Sequence, residues 1–293
     1  MLSLACLAAG WLALGCDDPL KSVELVAEPR VLGARVEVEG DARRAAPAPG
    51  ETASILLLVA APQRQTSLGF AFAVCSSAPR RGGRAACAAP PFAQVSSADG
   101  EAETASISFQ VPADLDPKGR LALLGIICPA GSPSADGASC DGDSAGTEVQ
   151  LELELAHDGD VNLNPELQPD SLAFDDAVWP ELAAVDGDCA GLGFVEVAVG
   201  SAHRIAVQLD ESDRDPLPRP SKLDPSRESL QLARFTTSGD LSRAFDTIAW
   251  DTDELAREAT WTAPQEPGLA RFWLVLRDFR GGSAFVERAV CVQ

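Results

Sequence analysis

Two histidines are the only imidazole side chains in this sequence, and one of them has neighbours that could support catalysis. His203 follows Ser201 by two residues, and Asp210 and Asp213 lie a short distance downstream. Serine, histidine and aspartate are the residues of a hydrolytic triad, so a secreted hydrolase is one hypothesis. The other histidine, His157, falls in a polar segment where we expect it to be solvated.

The sequence lacks the motifs that usually accompany nucleophilic or nucleotide chemistry. No GxSxG nucleophile elbow, P-loop, GxGxxG or HExxH pattern occurs. We therefore expect His203 to have a structural or surface role. The sequence predicts no catalytic residue, and we expect a protein that is not an enzyme.

Two stretches rich in Asp, Asn and Gly contain oxygen ligands of the kind that calcium prefers. The candidate ligands are Asp141, Asp143, Glu152, Asp158, Asp160 and Asn162. The first three partly match an EF-hand loop, but Ala145 stands at the third ligand position and Glu152 falls in a predicted strand. Ordinary turn chemistry explains the same residue types. We expect no cofactor and keep calcium as a minor alternative.

The first eighteen residues are typical of an export signal. An apolar run over residues 2–14 ends in Gly15-Cys16 and is followed by Asp17-Asp18. It is shorter than the roughly 20 residues that span a bilayer. Leu14, Gly15 and Cys16 resemble the cleavage site of bacterial lipoproteins, in which the cysteine is diacylated. The resemblance implies a signal peptide over 1–15 and a lipidated tether over 16–30, although Ala13 and the lack of Lys or Arg before the run depart from the pattern.

The composition excludes several classes of partner. With 23 basic and 44 acidic residues, the chain carries a formal charge of −21. Such a surface repels nucleic acid and anionic lipid headgroups. We interpret the excess of carboxylates as a solvated exterior, because they outnumber the pair that a glycosidase would need. Hydrophobic residues make up 46% of the chain, enough for packed cores.

Short apolar segments with period-two alternation, separated by Gly/Pro turns, follow the leader. Those of the first half are 54–60, 68–74, 107–111, 121–127 and 149–155. Those of the second half are 194–199, 204–209, 229–236, 259–263, 269–277 and 283–292. No long helical period occurs, although 251–257 could form one short turn of helix. The pattern predicts an all-β chain with two antiparallel, immunoglobulin-like β-sandwich domains at 31–157 and 171–293, joined by a linker at 158–170.

The two halves look like divergent copies of one module. Phe109-Gln-Val-Pro112 in the first half matches Trp261-Thr-Ala-Pro264 in the second. In each half a short gap then leads to the most apolar strand of that half. A strand that is apolar on both faces is expected at the centre of its sheet.

Four phrases of the sequence resemble those of uncharacterised myxobacterial envelope lipoproteins. They are Arg30-Val-Leu-Gly-Ala-Arg35, Pro49-Gly-Glu51, Asn162-Leu-Asn-Pro-Glu-Leu167 and Arg277-Asp-Phe-Arg-Gly-Gly282. The resemblance covers most of the mature chain and implies immunoglobulin-like modules on a lipid-anchored envelope protein. The chain departs from antibody domains because it has no Tyr for a tyrosine corner. Phe70, Phe72 or Phe235 would fill the core position where a tryptophan is usual.

Cysteine parity agrees with export. If the leader removes Cys6 and a lipid occupies Cys16, six cysteines remain, an even number suited to disulfides in an oxidising compartment. In a Greek-key sandwich, Cys75 and Cys128 end antiparallel strands and should lie at opposite ends. We therefore expect local pairs, Cys75 with Cys87 and Cys128 with Cys140. Cys189 with Cys291 then follows by parity.

The sequence thus favours a lipid-anchored, exported cell-envelope protein with a non-catalytic structural or protein-interaction role. A calcium-dependent adhesion or matrix-binding module is the alternative, and a secreted hydrolase is a weaker one. The expected partners are the membrane, through the N-terminal lipid, and an unknown envelope protein or polymer, with no nucleic acid. Sandwiches carry function on loops, so the candidate contact surfaces are the long loops 76–104, 129–146 and 210–228.

Overall fold

A computed structural model describes most of the chain after the leader. The described residues are 22–63, 68–78, 84–100, 104–129, 131–142, 145–156, 161–181, 189, 193–217 and 225–293. The predicted signal peptide and Cys16 therefore lie outside them. Within these ranges no helix is long and apolar enough to cross a bilayer.

The described residues of the first sandwich form seven strands. They are β1 (Arg30–Val38), β2 (Thr52–Ala60), β3 (Leu68–Ser76), β4 (Ala93–Gly100), β5 (Thr104–Gln110), β6 (Arg120–Cys128) and β7 (Thr147–Glu154). One sheet has the order β1-β2-β5 and the other β4-β3-β6-β7, with every described pairing antiparallel. The predicted loop 76–104 is therefore not all loop, because its second half forms the edge strand β4.

Alternating apolar side chains from both sheets form the first core. Ile55 and Leu57 point inward from β2, and Phe72 and Leu123 point inward from β3 and β6. Each such side chain contributes roughly 1.5–3 kcal/mol when fully buried. Gly125 pairs with Phe72 across the sheet, and a Cβ there would lie 2.6 Å from the Phe72 ring. Glycine therefore makes room for the phenyl group.

In the second sandwich, the part that the structure describes contains ten strands. They are β8 (Leu172–Phe174), β9 (Ala177–Val178), β10 (Val195–Val197), β11 (Ala202–Gln208), β12 (Leu230–Thr236), β13 (Asp240–Leu241), β14 (Phe245–Ile248), β15 (Ala256–Thr262), β16 (Gly268–Arg277) and β17 (Ser283–Val292). The sheet orders are β13-β15-β11-β8-β9 and β10-β17-β16-β12-β14. The expected helical turn at 251–257 is wrong, since Ala256 already begins β15.

The two sandwiches share one strand arrangement, as the internal repeat predicts. β2 and β5 of the first correspond to β11 and β15 of the second, and β3-β6-β7 correspond to β12-β16-β17. The second core is more aromatic. Trp179 and Trp261 pack edge-on against Phe272, with ring centroids 5.1 and 5.0 Å apart.

A third apolar cluster joins the sandwiches. Leu32 and Leu58, on the outer face of β1 and β2, pack against Phe235, Trp273 and Val275 on the outer face of β12 and β16. Phe235 therefore belongs to this junction and not to the core of the second sandwich. The residues expected in the tether also contribute, because Val26 is fully buried and its amide donates to Thr236.

All three expected disulfides are present. Cys75–Cys87 and Cys128–Cys140 each join residues twelve apart, with Cα atoms 5.5 and 5.6 Å apart. Cys189–Cys291 joins residues 102 apart, with a Cα separation of 5.5 Å. In the described residues, the first sandwich thus has two disulfides that each close a short loop, and the second has one disulfide between residues far apart in the sequence.

Candidate functional sites

Ser201, His203 and Asp175 form a hydrogen-bonded chain at one end of the second sandwich. The His203 Nδ1 atom lies 2.5 Å from Asp175 Oδ2, and its Nε2 atom lies 2.6 Å from Ser201 Oγ. A carboxylate only accepts hydrogen bonds, so Nδ1 carries a proton, and a neutral ring then accepts the hydroxyl proton at Nε2. The order of groups is that of a hydrolytic triad.

A tight hairpin turn positions Asp175. Asp175 and Asp176 connect β8 to β9 with φ values of 48° and 69°, as a two-residue hairpin with positive φ requires. Asp175 Oδ1 also accepts from the Arg204 amide at 2.8 Å. Partial desolvation would raise the pKa of Asp175, but the hydrogen bonds from His203 and Arg204 lower it below its usual value. The carboxylate is therefore ionised at neutral pH.

The predicted acidic members of this site are elsewhere. Asp210 and Asp213 form a capping box at the 3₁₀ turn Glu211–Asp213, where their side chains accept from backbone amides. Asp175 takes their place beside His203. Only the cross-strand register brings it there, because β8 pairs with β11 so that Phe174 lies opposite Ile205.

The serine has a second partner that competes for its proton. Ser201 Oγ lies 2.5 Å from the Ala198 carbonyl oxygen, inside a turn closed by Gly200 at φ 68°. With neutral His203, one hydroxyl proton is shared between two acceptors. With a protonated ring, Nε2 donates to Oγ and the hydroxyl donates to Ala198, so every partner is satisfied. In this second arrangement the hydrogen bonds have a structural role, because they join the start of β11 to the β8–β9 turn.

The outer face of the first sandwich carries a groove of about 790 Å³. Ala71 and Ala73 of β3 and Leu124 of β6 form its floor, and Gln94 and Ser96 of β4 line one side. These floor residues are half-buried and point away from the core. A cavity of this size, in which an apolar floor meets several polar side chains, has the dimensions of a ligand-binding site.

Two disulfide-closed loops lie at the ends of this face. Gly69 pairs with Cys128, and six residues further along β3 Cys75 pairs with Ala122. At about 3.3 Å per residue the two disulfides stand about 20 Å apart. The loop after Cys128 folds back onto the sheet, because a Cβ on Gly69 would meet the Gly131 carbonyl oxygen at 2.2 Å.

Both charged residues in the described lining of the groove are carboxylates. Asp136 lies in the loop closed by Cys128–Cys140, and Glu148 lies on β7 opposite Ile126, so both are at the same end of the groove. Hydrogen bonds from the Ser134 hydroxyl and the Ala138 amide lower the pKa of Asp136. Arg84 reaches Glu148 at 4.0 Å, but both side chains are largely exposed. That pair is consequently weak.

A second cavity, of about 480 Å³, lies near the linker and is strongly acidic. Its lining includes Glu166, Asp170, Asp210 and Asp213. Burial raises the pKa of Asp213, although the backbone amides of Asp210 and Glu166 donate to it. Because those amides already occupy its oxygens, the carboxylate serves the local turn.

The candidate calcium ligands are dispersed where they are described. Glu152 lies five residues along β7 from Thr147, where it pairs with Arg120 at 3.4 Å and accepts a hydrogen bond from Ser77 at 3.1 Å. Asp141, in contrast, is exposed in the loop that precedes this strand. Asp143, Asp158 and Asp160 lie outside the described residues. Within the described part of the chain, no three His, Cys, Asp or Glu side chains are grouped as a metal site. Calcium binding stays a prediction.

The predicted linker is packed into the junction between the two sandwiches, against β1 and the start of β17. Asn164, fully buried, donates to Val36 at 2.7 Å and accepts from Ser283 at 3.0 Å. Arg35 donates to Ser283 at 2.9 Å, and Asn162 accepts from Ala45 through its carbonyl oxygen. These hydrogen bonds therefore tie the linker to both sandwiches.

Two buried carboxylates at this junction titrate abnormally. Burial, reinforced by the charge of Asp278, raises the pKa of Glu228 to about 7, although Arg280 contacts it at 2.6 Å. Burial likewise raises the pKa of Asp278 to about 6, against hydrogen bonds from the amides of Arg280 and Gly282. The third carboxylate of this network, Asp215, accepts from the Leu163 amide at 2.7 Å.

No protein-family profile and no curated protein matches this sequence at a significant level. Solved structures match only distantly. The adhesin InvE of Yersinia pseudotuberculosis is 9% identical with a TM-score of 0.21, over 88% of this chain and 58% of that one. A family 2 glycosyl hydrolase of Bacteroides cellulosilyticus is 8% identical with a TM-score of 0.20, over 90% of this chain and 28% of that one. Latent PorU of Porphyromonas gingivalis is 11% identical with a TM-score of 0.22, over 92% of this chain and 24% of that one. Likenesses at this level carry no information about function.

Proposed function

We propose that this protein is an exported, lipid-anchored component of a cell envelope with a non-catalytic binding role. The observation that carries the proposal is the groove on the first sandwich, an open concave face with an apolar floor, polar side chains at its sides and the loop closed by Cys128–Cys140 at one end. A concave surface that combines apolar and polar groups in this way is the usual form of an interaction site.

Export is supported by the cysteines. Structural disulfides persist in oxidising compartments and are rare in the cytosol. The leader that ends at Cys16 supports anchoring. Mass spectrometry of protein purified from membranes should find Cys16 at the N-terminus, carrying a diacylglycerol group. An unmodified Cys16 thiol in mature protein would contradict the anchor.

The binding role is tested by crosslinking in intact envelopes. A photoreactive amino acid in place of Ala73 reports on the groove, and one in place of Thr260, exposed on β15 of the second sandwich, is the matched control. We expect crosslinks at position 73 that disappear when Ser96→Trp fills the groove. Equal crosslinking at both positions, or no effect of Ser96→Trp, would contradict a binding role for this face.

A hydrolase is the second candidate, and the Asp175–His203–Ser201 chain is the observation that favours it. A fluorophosphonate probe, which reacts with activated serine hydroxyls, separates the two functions. A catalytic Ser201 would be labelled, and His203→Ala would abolish that labelling. We expect no labelling above that of Ser201→Ala, because the hydroxyl also serves Ala198.

A further inference from the structure

We infer that the second sandwich lies against the membrane surface through a small apolar and cationic patch beside the tether. The patch consists of Val23, Arg30, Arg243 and Phe245, and we call it the tether-exit patch. This inference rests on the proposed lipid anchor at Cys16 and adds the face of the protein that meets the bilayer. It follows from the docking of the tether, from the exposed apolar side chains around it, and from the local charge.

The tether is fixed to the folded body within a few residues of the expected lipid. The Val26 amide donates to the Thr236 carbonyl oxygen at 2.8 Å, and the Thr236 amide donates to the Glu24 carbonyl oxygen at 3.0 Å. Val26 is also fully buried in the apolar cluster between the sandwiches. Val23 follows Cys16 by seven residues, so even an extended chain, at about 3.5 Å per residue, holds it within about 25 Å of the lipid. The anchor therefore keeps this face of the chain close to the membrane.

Two exposed apolar side chains flank this point, and contacts connect them. Phe245 is 40% exposed and lies on the edge strand β14, where its ring packs against Phe235 with centroids 6.0 Å apart. The Arg30 guanidinium lies 5.1 Å from the centre of the Phe235 ring and donates to the Val23 carbonyl oxygen at 2.7 Å. Val23 itself is 60% exposed. Apolar side chains beside arginines are the usual composition of a surface that lies in the lipid headgroup region.

The charge around the patch is opposite in sign to that of the whole chain. Four arginines and two carboxylates are linked to the patch by hydrogen bonds, ion pairs or close electrostatic contact, namely Arg30, Arg234, Arg243, Arg257, Glu24 and Asp246. Asp246 is 7% exposed and is neutralised by Arg234 at 2.5 Å, so the charges left at the surface are mostly positive. Although the net charge of −21 repels anionic lipid on average, this local excess attracts anionic headgroups.

Quenching by brominated lipid tests the inference on the intact lipidated chain, reconstituted in vesicles of phosphatidylcholine and phosphatidylglycerol. Phe245→Trp places a reporter in the patch, and Phe279→Trp is the matched control. Phe279 is 61% exposed and follows the end of β16, whereas the tether pairs with Thr236, which lies opposite Phe272 near the start of that strand. After subtraction of the wild-type emission, we expect acyl bromine to quench position 245 at least about twofold more than position 279, because an interfacial side chain lies about 5–10 Å deep in the lipid.

Charge and apolar variants test the patch itself. In the Phe245→Trp chain, Arg243→Gln should reduce the extra quenching that phosphatidylglycerol produces, because one arginine at an anionic surface contributes about fivefold to binding. Arg84→Gln, which changes an arginine of the first sandwich with a 79% exposed side chain, should leave that quenching unchanged. In a Val23→Trp chain, Phe245→Asp should remove most of the quenching, whereas Phe279→Asp should not. Thermal unfolding confirms that each variant folds.

Co-sedimentation with the vesicles separates failure of this inference from failure of the anchor. A chain that sediments but is quenched equally at positions 245 and 279 would overturn the inference and leave the anchor in place. A chain that does not sediment would overturn both. If a photoreactive residue at position 245 instead joins a second copy of the chain or another protein, and quenching there is absent, the patch is a protein contact and the inference is wrong.

Discussion

The two sandwiches carry the same sheet, but its outer face is covered in one and open in the other. In the second sandwich, Phe235, Trp273 and Val275 are buried against the first sandwich. In the first, the corresponding strands present Ala71, Ala73 and Leu124, which no described element covers completely. The covered face is strongly apolar, whereas the open face combines an apolar floor with polar side chains, so the two faces differ in composition as well as in whether they are covered.

Side-chain volume separates them. Two aromatic rings, those of Phe235 and Trp273, are buried in the covered face, whereas the small side chains Ala71 and Ala73 leave the open face concave. The charged groups differ in the same way. The junction carboxylates Glu228 and Asp278 are buried with raised pKa values, and Asp136 at the groove is exposed with a lowered pKa. The first arrangement favours a permanent contact, and the second leaves an ionised group available to a ligand.

Truncation of the covered face should have the largest effect. Trp273→Ala removes a ring that is 1% exposed and should lower the free energy of unfolding by about 3–5 kcal/mol. Leu124→Ala on the open face should cost about 1 kcal/mol, because the side chain is only half-buried. Urea denaturation measures both. Similar losses for the two variants would remove the distinction between the faces.

Loss of the disulfide that closes the groove loop should have the next largest effect. Replacing Cys128 and Cys140 together by serine frees a loop of about a dozen residues, which costs about 3 kcal/mol on the chain-entropy model. Differential scanning calorimetry should show the first sandwich melting earlier while the second keeps its transition. A uniform shift of both transitions would mean that the sandwiches unfold as one unit.

The pH dependence of stability should come from the junction. Because the folded pKa of Glu228, about 7, exceeds its ordinary 4.5, the folded state holds a proton that the unfolded state releases. The resulting stability is fully present below pH 4.5 and is lost as pH rises to about 7. The free energy of unfolding of the wild type should therefore fall between pH 4.5 and 7.5. In Glu228→Gln this fall should be smaller by an amount on the order of 2 kcal/mol.

Comparison with Asp136→Asn controls for the general charge of the chain. The pKa of Asp136 is lowered in the folded state, so the stability that its carboxylate contributes changes with pH only below 3.8, the ordinary pKa of the group. That range lies outside the pH window in which Glu228 acts. Urea denaturation at several pH values should therefore give Asp136→Asn and wild type the same slope. An unchanged slope in Glu228→Gln would show that the junction does not hold the proton.

Much of the fold was predictable because it depends on local patterns. Alternation identified the central strands, cysteine spacing together with strand ends identified two of the disulfides, and parity alone gave Cys189–Cys291. The edge strand β4 was missed because Ala93–Gly100 is small and polar and lies in a long Gly-rich stretch. The helical turn expected at 251–257 was wrong because β15 pairs with β11, a contact that overrides weak local preference.

The sites were less predictable because they depend on register and on packing between sandwiches. The sequence indicated Ser201 and His203, but Asp175 reaches them only through the pairing of β8 with β11. Phe235 was expected in a core, and only the docking of the first sandwich makes it part of a junction. The groove was not predicted, because small residues such as Ala71 and Ala73 on a sheet face give the same sequence pattern whether or not another element covers them.

The rate of thiol alkylation at matched positions tests the contrast between the faces most directly. Leu124→Cys and Val275→Cys introduce a cysteine at the centre of the open and the covered face, in a chain whose Cys16 is replaced by serine and whose disulfides stay intact. We expect Leu124→Cys to react with maleimide at least about tenfold faster, because Val275 is 0% exposed and reacts only when the junction opens. Equal rates at the two positions would contradict the account, since both faces would then be open or both covered.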